Sequence, residues 1–257
     1  MESSNWRSIT PKLDFPPHNM APSWFDRYQK RNIVALDVFC VYKPSNNTPY
    51  ETFIKKNEKG ESLVWFETLN KRRRLKMNRE PSEITVVDYT GFILDYFRVK
   101  HDPMTFSIND KTNKKLRYTS ESLRDGRPYD EIKEKLIKLL KGKLVIAFSA
   151  ENDFKALHLN IKEFDVFDIQ SYFFEWTNRG KQHAYELREL MFYYFQQRIQ
   201  KEKKSTYENA DATMKLFRDI YCATPKRDRD FGSGLPEIGK FFYNNRIKPN
   251  QISKIFE

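Results

Sequence analysis

Three features of the chain predict an α/β fold with a mixed β-sheet flanked by α-helices. The stretches 32–41 (NIVALDVFCV) and 143–148 (KLVIAF) are nearly continuous apolar runs with β-branched members, the pattern of central strands buried on both faces. Two shorter strand patterns meet at Asp88-Tyr89-Thr90-Gly91, whose glycine suits a tight hairpin. After residue 128, helical and strand patterns alternate, which adds parallel neighbours to the sheet and helices over it.

The elements follow in order. Residues 1–30 hold Pro11, Pro16, Pro17 and Pro22 among polar residues, so no continuous helix can form and an extended arm is expected. Its Trp6, Phe15 and Trp24 suggest docking onto the domain or a partner. The domain is expected over 31–224. It opens with the strand at 32–41, then an insertion or enlarged hairpin at about 43–82 whose Lys71-Arg72-Arg73-Arg74 reads as a solvated tip. Strands are expected at 63–66, 84–87 and 92–99. A helix at 128–141 has Pro128 in its first turn, Asp130 and Glu131 at its positive end, and Gly142 closing it. Ile132, Leu136, Leu139 and Leu140 keep helical spacing along it. A strand at 143–148, a short helix at 152–159, a strand at 166–169 and helices at about 184–199 and 207–221 complete the core. The tail, 225–257, carries Gly232, Gly234, Pro236 and Pro249 around one short helix near 237–245.

The 257 residues can bury one substantial core, and there is no apolar run of 18 or more, so no membrane-spanning helix is expected. The start of the chain lacks the cationic and apolar pattern of a secretory signal, and Cys40 and Cys222 are the only cysteines. Both point to a reducing nuclear or cytoplasmic setting. Lys and Arg number 46 against 35 Asp and Glu, a net charge of +11 that attracts polyanions, RNA among them.

Five segments, in order, resemble the RNA exonuclease 4-like and interferon-stimulated exonuclease branch of the DEDDh 3′–5′ exonucleases. They are Ala35-Leu36-Asp37-Val38-Phe39; Val87 to Gly91 with Leu94-Asp95-Tyr96; Leu123 to Tyr129 running on through Leu139 to Val145; Asn152 to Leu157 followed by Asp168 to Tyr172; and Tyr207-Glu208-Asn209-Ala210 with Ala212-Thr213-Met214. The resemblance spans roughly 33–221 and implies an RNase H-like mixed sheet flanked by helices.

The resemblance also implies a chemistry. Four carboxylates would surround two divalent ions about 4 Å apart, Mg²⁺ or Mn²⁺, with a histidine as general base. Asp37 matches the first carboxylate. Its partner two residues along the strand, which shares its face, is Phe39. Asp153 matches the next; the adjacent Glu151 would point away from it on a helix. Asn209 falls at the last carboxylate and Lys204 at the histidine. A rival register, Tyr207 with Asp211, is the tyrosine-type signature of a sister group. Helical periodicity disfavours it, because Ala210, Met214, Phe217 and Tyr221 form the apolar stripe, and Asp211, beside Lys215 and Arg218, reads as solvent-facing.

The expectation is therefore a pseudo-exonuclease with no catalytic residue and no cofactor, in which Asp37 and Asp153 could hold at most one ion, weakly. The alternative is an active metal-dependent 3′–5′ exoribonuclease with an atypical ligand set. RNA is the expected partner, through Lys71, Arg72, Arg73, Arg74, Lys114, Lys115, Arg117, Lys203 and Lys204. Each such cluster is also what a solvated face looks like. A protein partner or homodimer is the other expectation, through the arm, Phe173-Phe174-Glu175-Trp176, Phe192 to Phe195, and Phe241-Phe242-Tyr243 in the tail; ordinary core packing is the plain alternative for these aromatics.

Overall fold

The structure is a computed structural model that describes residues 24–44, 50–56, 60, 62–69, 77–102, 104–105, 120–176, 182–201 and 204–223. The strands are β1 (Ile33–Pro44), β2 (Tyr50–Lys56), β3 (Ser62–Thr68), β4 (Met77–Asp88), β5 (Ile93–Arg98), β6 (Leu144–Ala147), β7 (Asp165–Asp168), β8 (Phe174–Trp176) and β9 (Gln182–Ala184). The helices are α1 (Ser120–Arg124), α2 (Tyr129–Leu140), α3 (Ala150–Ala156), α4 (Leu187–Phe195) and α5 (Thr206–Lys215).

Five strands form one sheet in the order β5-β4-β1-β6-β7. β1 pairs antiparallel with β4 and parallel with β6; β4–β5 is antiparallel and β6–β7 parallel. The mixed sheet flanked by helices matches the fold class expected. Side-chain alternation along β1 sorts its residues onto two cores. Ile33 and Ala35 join α4 and α5 on one face, while Val34, Leu36 and Val38 meet α2 and α3 on the other. A strand covered on both faces has no position for a polar residue except at a site, which is why β1 and β6 read as unbroken apolar runs.

The β4–β5 hairpin turns where the glycine pointed. Gly91 has φ +94 and donates its backbone N–H to the Asp88 carbonyl at 3.0 Å. Asp88 Oδ1 accepts from the Thr90 and Phe92 backbone N–H groups and from the Thr90 hydroxyl. Within 43–82, β2 and β3 pair only with each other, and β4 begins at Met77, well before the strand read from the apolar pattern. Its first residues are polar, and they pair with the end of β1. Helix α5 gives way at Leu216 to a π-helical stretch, Leu216–Tyr221, so the single helix expected to 221 changes winding midway.

The aromatics of α4 are half-buried against the core. Tyr193 and Tyr194 meet edge to face at 4.7 Å, and Phe173 meets Tyr194 at 5.8 Å. Among the described residues no helix is long and apolar enough to cross a membrane. The arm before residue 24, Lys71 to Arg74, Lys114, Lys115, Arg117, Lys203 and the tail from residue 224 lie outside the described residues.

Candidate functional site

Asp37 stands on β1 where the strand runs past the end of its pairing with β6, and it faces the α5 side of the sheet. On the neighbouring strand Thr85 lies opposite Asp37, and Glu83 opposite Phe39. Helix α5 crosses this face. Ser205 caps it by accepting the Glu208 backbone N–H at 3.4 Å, and the Thr206 hydroxyl meets that of Thr85 at 2.6 Å. One turn on, Asn209 is buried and donates its Nδ2–H to Asp37 Oδ2 at 3.2 Å.

The orientation of that amide is fixed from behind. Gln200 Nε2 donates to Asn209 Oδ1 at 2.8 Å, which leaves Nδ2 to face Asp37. Gln200 itself has φ +58, and its backbone N–H is held by Glu208 Oε2 at 2.8 Å. A chain from Glu208 through Gln200 and Asn209 thus ends on the carboxylate. Sequence reading missed Gln200, since it belongs to no helix or strand and only the fold brings it over α5.

Asp153 comes from α3, on the far side of Asp37. The start of α3 is anchored by Asp168: its Oδ1 accepts from Ser149 N (3.0 Å) and Gln170 N (3.1 Å), and its Oδ2 from Ala150 N (2.9 Å). Ser149 adopts the left-handed conformation (φ +73) there. The segment at 168–172 entered the sequence reading only as a resemblance; its aspartate is a cap for α3. Asp153 is buried, and its Oδ2 has no hydrogen-bond partner.

Burial governs the electrostatics. It pushes the Asp37 carboxyl up to about 7, with the Asn209 hydrogen bond and the Lys204 charge pulling the other way. It holds Asp153 well above the usual carboxylate range, Asp37 and Asp168 adding to the rise and Arg79 opposing it. Asp168 is raised by burial against its three backbone donors. Cys40, between these groups, is pushed up to about 12, chiefly by burial and then by Asp153, which keeps it an inert thiol.

The fold brings Asp37, Asp153, Asn209, Lys204 and Phe39 to one end of the sheet. Phe39 is buried at 8% exposure on the same strand face as Asp37. Glu83, directly across from it, is a buried carboxylate, but it is ion-paired with Arg98 of β5 at 3.9 Å. Tyr207 is exposed. Asp211 corrects the expectation of a solvent-facing residue. It is partly buried against the hairpin, where a Cβ on Gly91 would stand 2.2 Å from its Oδ1, because α5 packs over the turn as well as over β1. Asp211 lies near Arg218 and Lys215.

A two-ion centre does not fit these residues. Hard divalent ions need oxygen ligands. Of the positions that the resemblance matches to metal ligands, one carries the buried Phe39 ring, and another presents the Asn209 amide N–H to Asp37. Among the described residues no group of three or more His, Cys, Asp or Glu side chains is placed to hold a metal.

No protein-family model matches the chain, and no curated protein does. Solved structures do. The Saccharomyces cerevisiae Pan2 pseudoubiquitin hydrolase–RNA exonuclease module in complex with A7 RNA is similar at 16% identity and TM-score 0.60, over 87% of this chain and 34% of that one. The same module in complex with AAGGAA RNA gives 15% identity and TM-score 0.59, over 86% and 34%. The Neurospora crassa Pan2 catalytic unit, with protease and nuclease domains, gives 13% and 0.51, over 100% and 34%. The chain spans about a third of the length of these structures. At such identities the likeness is one of fold: a mixed five-stranded sheet flanked by helices, of the RNase H-like type found in exonuclease structures.

Proposed function

We propose that this chain is an inactive exonuclease-fold module, of the DEDDh kind, that binds single-stranded RNA without cutting it. The observation that carries this reading is the bond from Asn209 to Asp37 beside the buried ring of Phe39. In-line phosphodiester hydrolysis needs a charged cluster that holds metal and activates water. The cluster here has an amide and a phenyl group at two ligand positions. At the position of the base it has Lys204, whose side chain is a protonated ammonium and could act as a base only if strong desolvation stripped it to the neutral amine. The net charge of +11 supports an RNA partner, as do the fold-level neighbours solved with A7 and AAGGAA RNA.

Protein interaction is the weaker reading for the described part of the chain. The aromatics of α4 that suggested a docking surface are half-buried against the core.

Two measurements test the proposal together. A 5′-labelled single strand incubated with the full chain and Mg²⁺ or Mn²⁺ should stay intact. The same strand should bind with an affinity that falls steeply with salt, as counterion release demands. Shortening from the 3′ end that disappears in Asp37→Ala would overturn the inactive reading, and salt-insensitive or absent binding would overturn the RNA reading.

A further inference from the structure

The outer edge of the sheet carries a cavity of about 480 Å³, two strands away from Asp37, where β5 meets the 125–127 loop and α2. Phe97 and Ile132, both buried, give it an apolar lining, and Tyr96, 44% exposed, adds an aromatic ring. Two of its cations are engaged: Lys135 Nζ meets Asp95 Oδ2 at 2.6 Å, and Arg98 Nη1 meets Asp125 Oδ2 at 3.2 Å. Arg127, also in the lining, is exposed, and its guanidinium has no partner among the described residues. Main-chain bonds gather two more exposed, unpaired cations at the same loop. Lys100 N–H donates to the Arg127 carbonyl at 2.9 Å, and His101 N–H donates to the Leu123 carbonyl, next to Arg124, at 2.7 Å. An exposed ring beside unpaired cations is a surface on which a nucleotide stacks its base and rests its phosphate. The other occupant of a sheet edge is a peptide that adds as a strand. Main-chain groups it would need are already in use: Tyr96 N–H donates to Asp95 Oδ1 at 3.1 Å, and Arg127 holds the Arg98 carbonyl at 3.0 Å and the Lys100 N–H. Recognition at this edge therefore falls to side chains.

Resting on the RNA-binding reading, we propose that this cavity seats one nucleotide of the bound single strand. The base stacks on the Tyr96 ring, and the phosphate lies against Arg127, whose guanidinium presents a planar fork of N–H donors that matches two phosphate oxygens. Asp95 and Asp125 in the lining would oppose a bare anion. A nucleotide meets them differently, because the amino groups of a base are donors that a carboxylate accepts. Tyr96 lies opposite Thr85, and Thr85 opposite Asp37, so Tyr96 shares the sheet face of Asp37 at two strand spacings, about 10 Å. One strand can therefore engage the Asp37 end of the sheet and the cavity together.

Binding of fluorescein-labelled hexa-adenylate to the full chain, followed by anisotropy in EDTA over a series of salt concentrations, tests this. Tyr96→Ala and Arg127→Ala should each weaken binding about tenfold, close to 1.4 kcal/mol. Tyr96→Phe should bind within about twofold of wild type, because the stacking face remains. The slope of log affinity against log salt should fall by about one in Arg127→Ala and stay as in wild type in Tyr96→Ala, since only the first removes a phosphate contact. Lys138→Ala removes an exposed charge of α2 outside the lining and should bind within about twofold of wild type. Wild-type affinity in both Tyr96→Ala and Arg127→Ala, or an equal loss in Lys138→Ala, would overturn the cavity as the seat and leave the RNA reading standing. If no RNA binds, the RNA reading falls, and an NMR titration with adenosine 5′-monophosphate decides the cavity by itself. The nucleotide should shift the amides of Tyr96, Arg98 and Gly126 in the wild type and leave them unmoved in the Tyr96→Ala, Arg127→Ala double variant. Absent shifts reject the seat, as do shifts produced by a blocked Thr-Val-Thr-Val-Thr peptide and not by the nucleotide.

Discussion

Asn209 donates its side-chain amide to Asp37 across 3.2 Å, joining α5 to β1 over 172 positions of chain. The bond relieves a desolvated carboxylate with a neutral donor, and so does without a cation at that point. Asn209→Asp would set a second carboxylate against the first with no ion to bridge them. The variant should unfold several degrees below wild type at neutral pH and recover most of that loss at pH 5, where the pair can share a proton. Differential scanning fluorimetry with and without millimolar Mg²⁺ measures it. A wild-type chain stabilised by Mg²⁺ as much as the variant would show that an ion binds despite the amide.

Acid should stabilise this protein over a window where many proteins are indifferent. Asp37, pushed up to about 7, and Asp153, held well above the usual range, bind a proton more tightly folded than unfolded. Their contribution is therefore fully present below the unfolded carboxylate range and is lost as pH rises toward 7 and beyond. Each pH unit of that window costs at most about 1.4 kcal/mol per group. Asp88 and Asp219 are lowered instead, by their hydrogen bonds, and lose stability as pH falls through the ordinary carboxylate range. Thermal unfolding at pH 5, 6, 7 and 8 should show a maximum near pH 5. Asp37→Asn should raise the melting temperature at pH 8 and leave it unchanged at pH 5. Equal effects at both ends would exclude a raised carboxyl as the cause.

What could be read from the sequence divides along a physical line. The two central strands and the two-sided core were legible because β1 and β6 are apolar without break and β1 places alternate residues on opposite faces, a local pattern with one tertiary meaning. Asp37, Phe39, Asp153 and Asn209 were expected at one site through the family resemblance, whose matched segments coincide with such patterns. Arg79 and Gln200 were not. Arg79 sits among the polar first residues of β4, which carry no apolar signal and are placed only by pairing with the end of β1. Gln200 is a loop residue with positive φ, and its role exists only once Glu208 and Asn209 are beside it. The partial burial of Asp211 was missed for the same reason: helical periodicity reports which side faces the core, and says nothing of a hairpin turn tucked against the flank.

Phe39 fills volume that the core needs. It is buried at 8% exposure between Asp37 and the bulge that shifts the β1–β4 register after it. Phe39→Ala should lose about 3 kcal/mol by combined transfer and cavity terms, readable in urea denaturation. Phe39→Leu should lose less than half of that, since most of the volume is kept. Phe39→Glu alone would bury an unpaired carboxylate beside Asp37 and should be the worst of the three. Combined with Asn209→Asp and Lys204→His, however, it would supply the ligand set and base that the proposed DEDDh reading assigns to these positions. Cleavage gained by the triple variant would confirm the positional assignment.

Gly126 is required by close backbone approach. A Cβ there would stand 2.7 Å from the Arg98 carbonyl oxygen and 2.8 Å from the Lys100 nitrogen, both main chain and unable to swing aside. The loop 125–128 is stitched to the end of β5 by Arg127 N to Arg98 O (3.0 Å) and Lys100 N to Arg127 O (2.9 Å), and Val99 bridges to Arg127. Gly126→Ala should break this stitch and cost on the order of 1–3 kcal/mol. Hydrogen exchange should show early opening of the Val99 and Lys100 amides while β1 and β6 stay protected.

Asp168 sets the aim of α3 and therefore of Asn152, Asp153 and the Arg79 contact. Its two carboxylate oxygens satisfy three backbone N–H groups at a turn where Ser149 is already in the left-handed region. Removing both acceptor oxygens in Asp168→Ala leaves three part-buried donors unpaired, at a cost of about 2 kcal/mol or more. Asp168→Asn keeps the oxygen that serves Ser149 and Gln170 and loses only the bond from Ala150. It also removes a carboxyl that burial raises, so its net loss should be under about 1 kcal/mol. The two variants separate capping from charge: if charge were the main contribution of Asp168, the asparagine would be as damaging as the alanine. Because α3 carries Asn152, the alanine variant should also loosen the hydrogen bond from Arg79 to Asn152, while the asparagine variant keeps it.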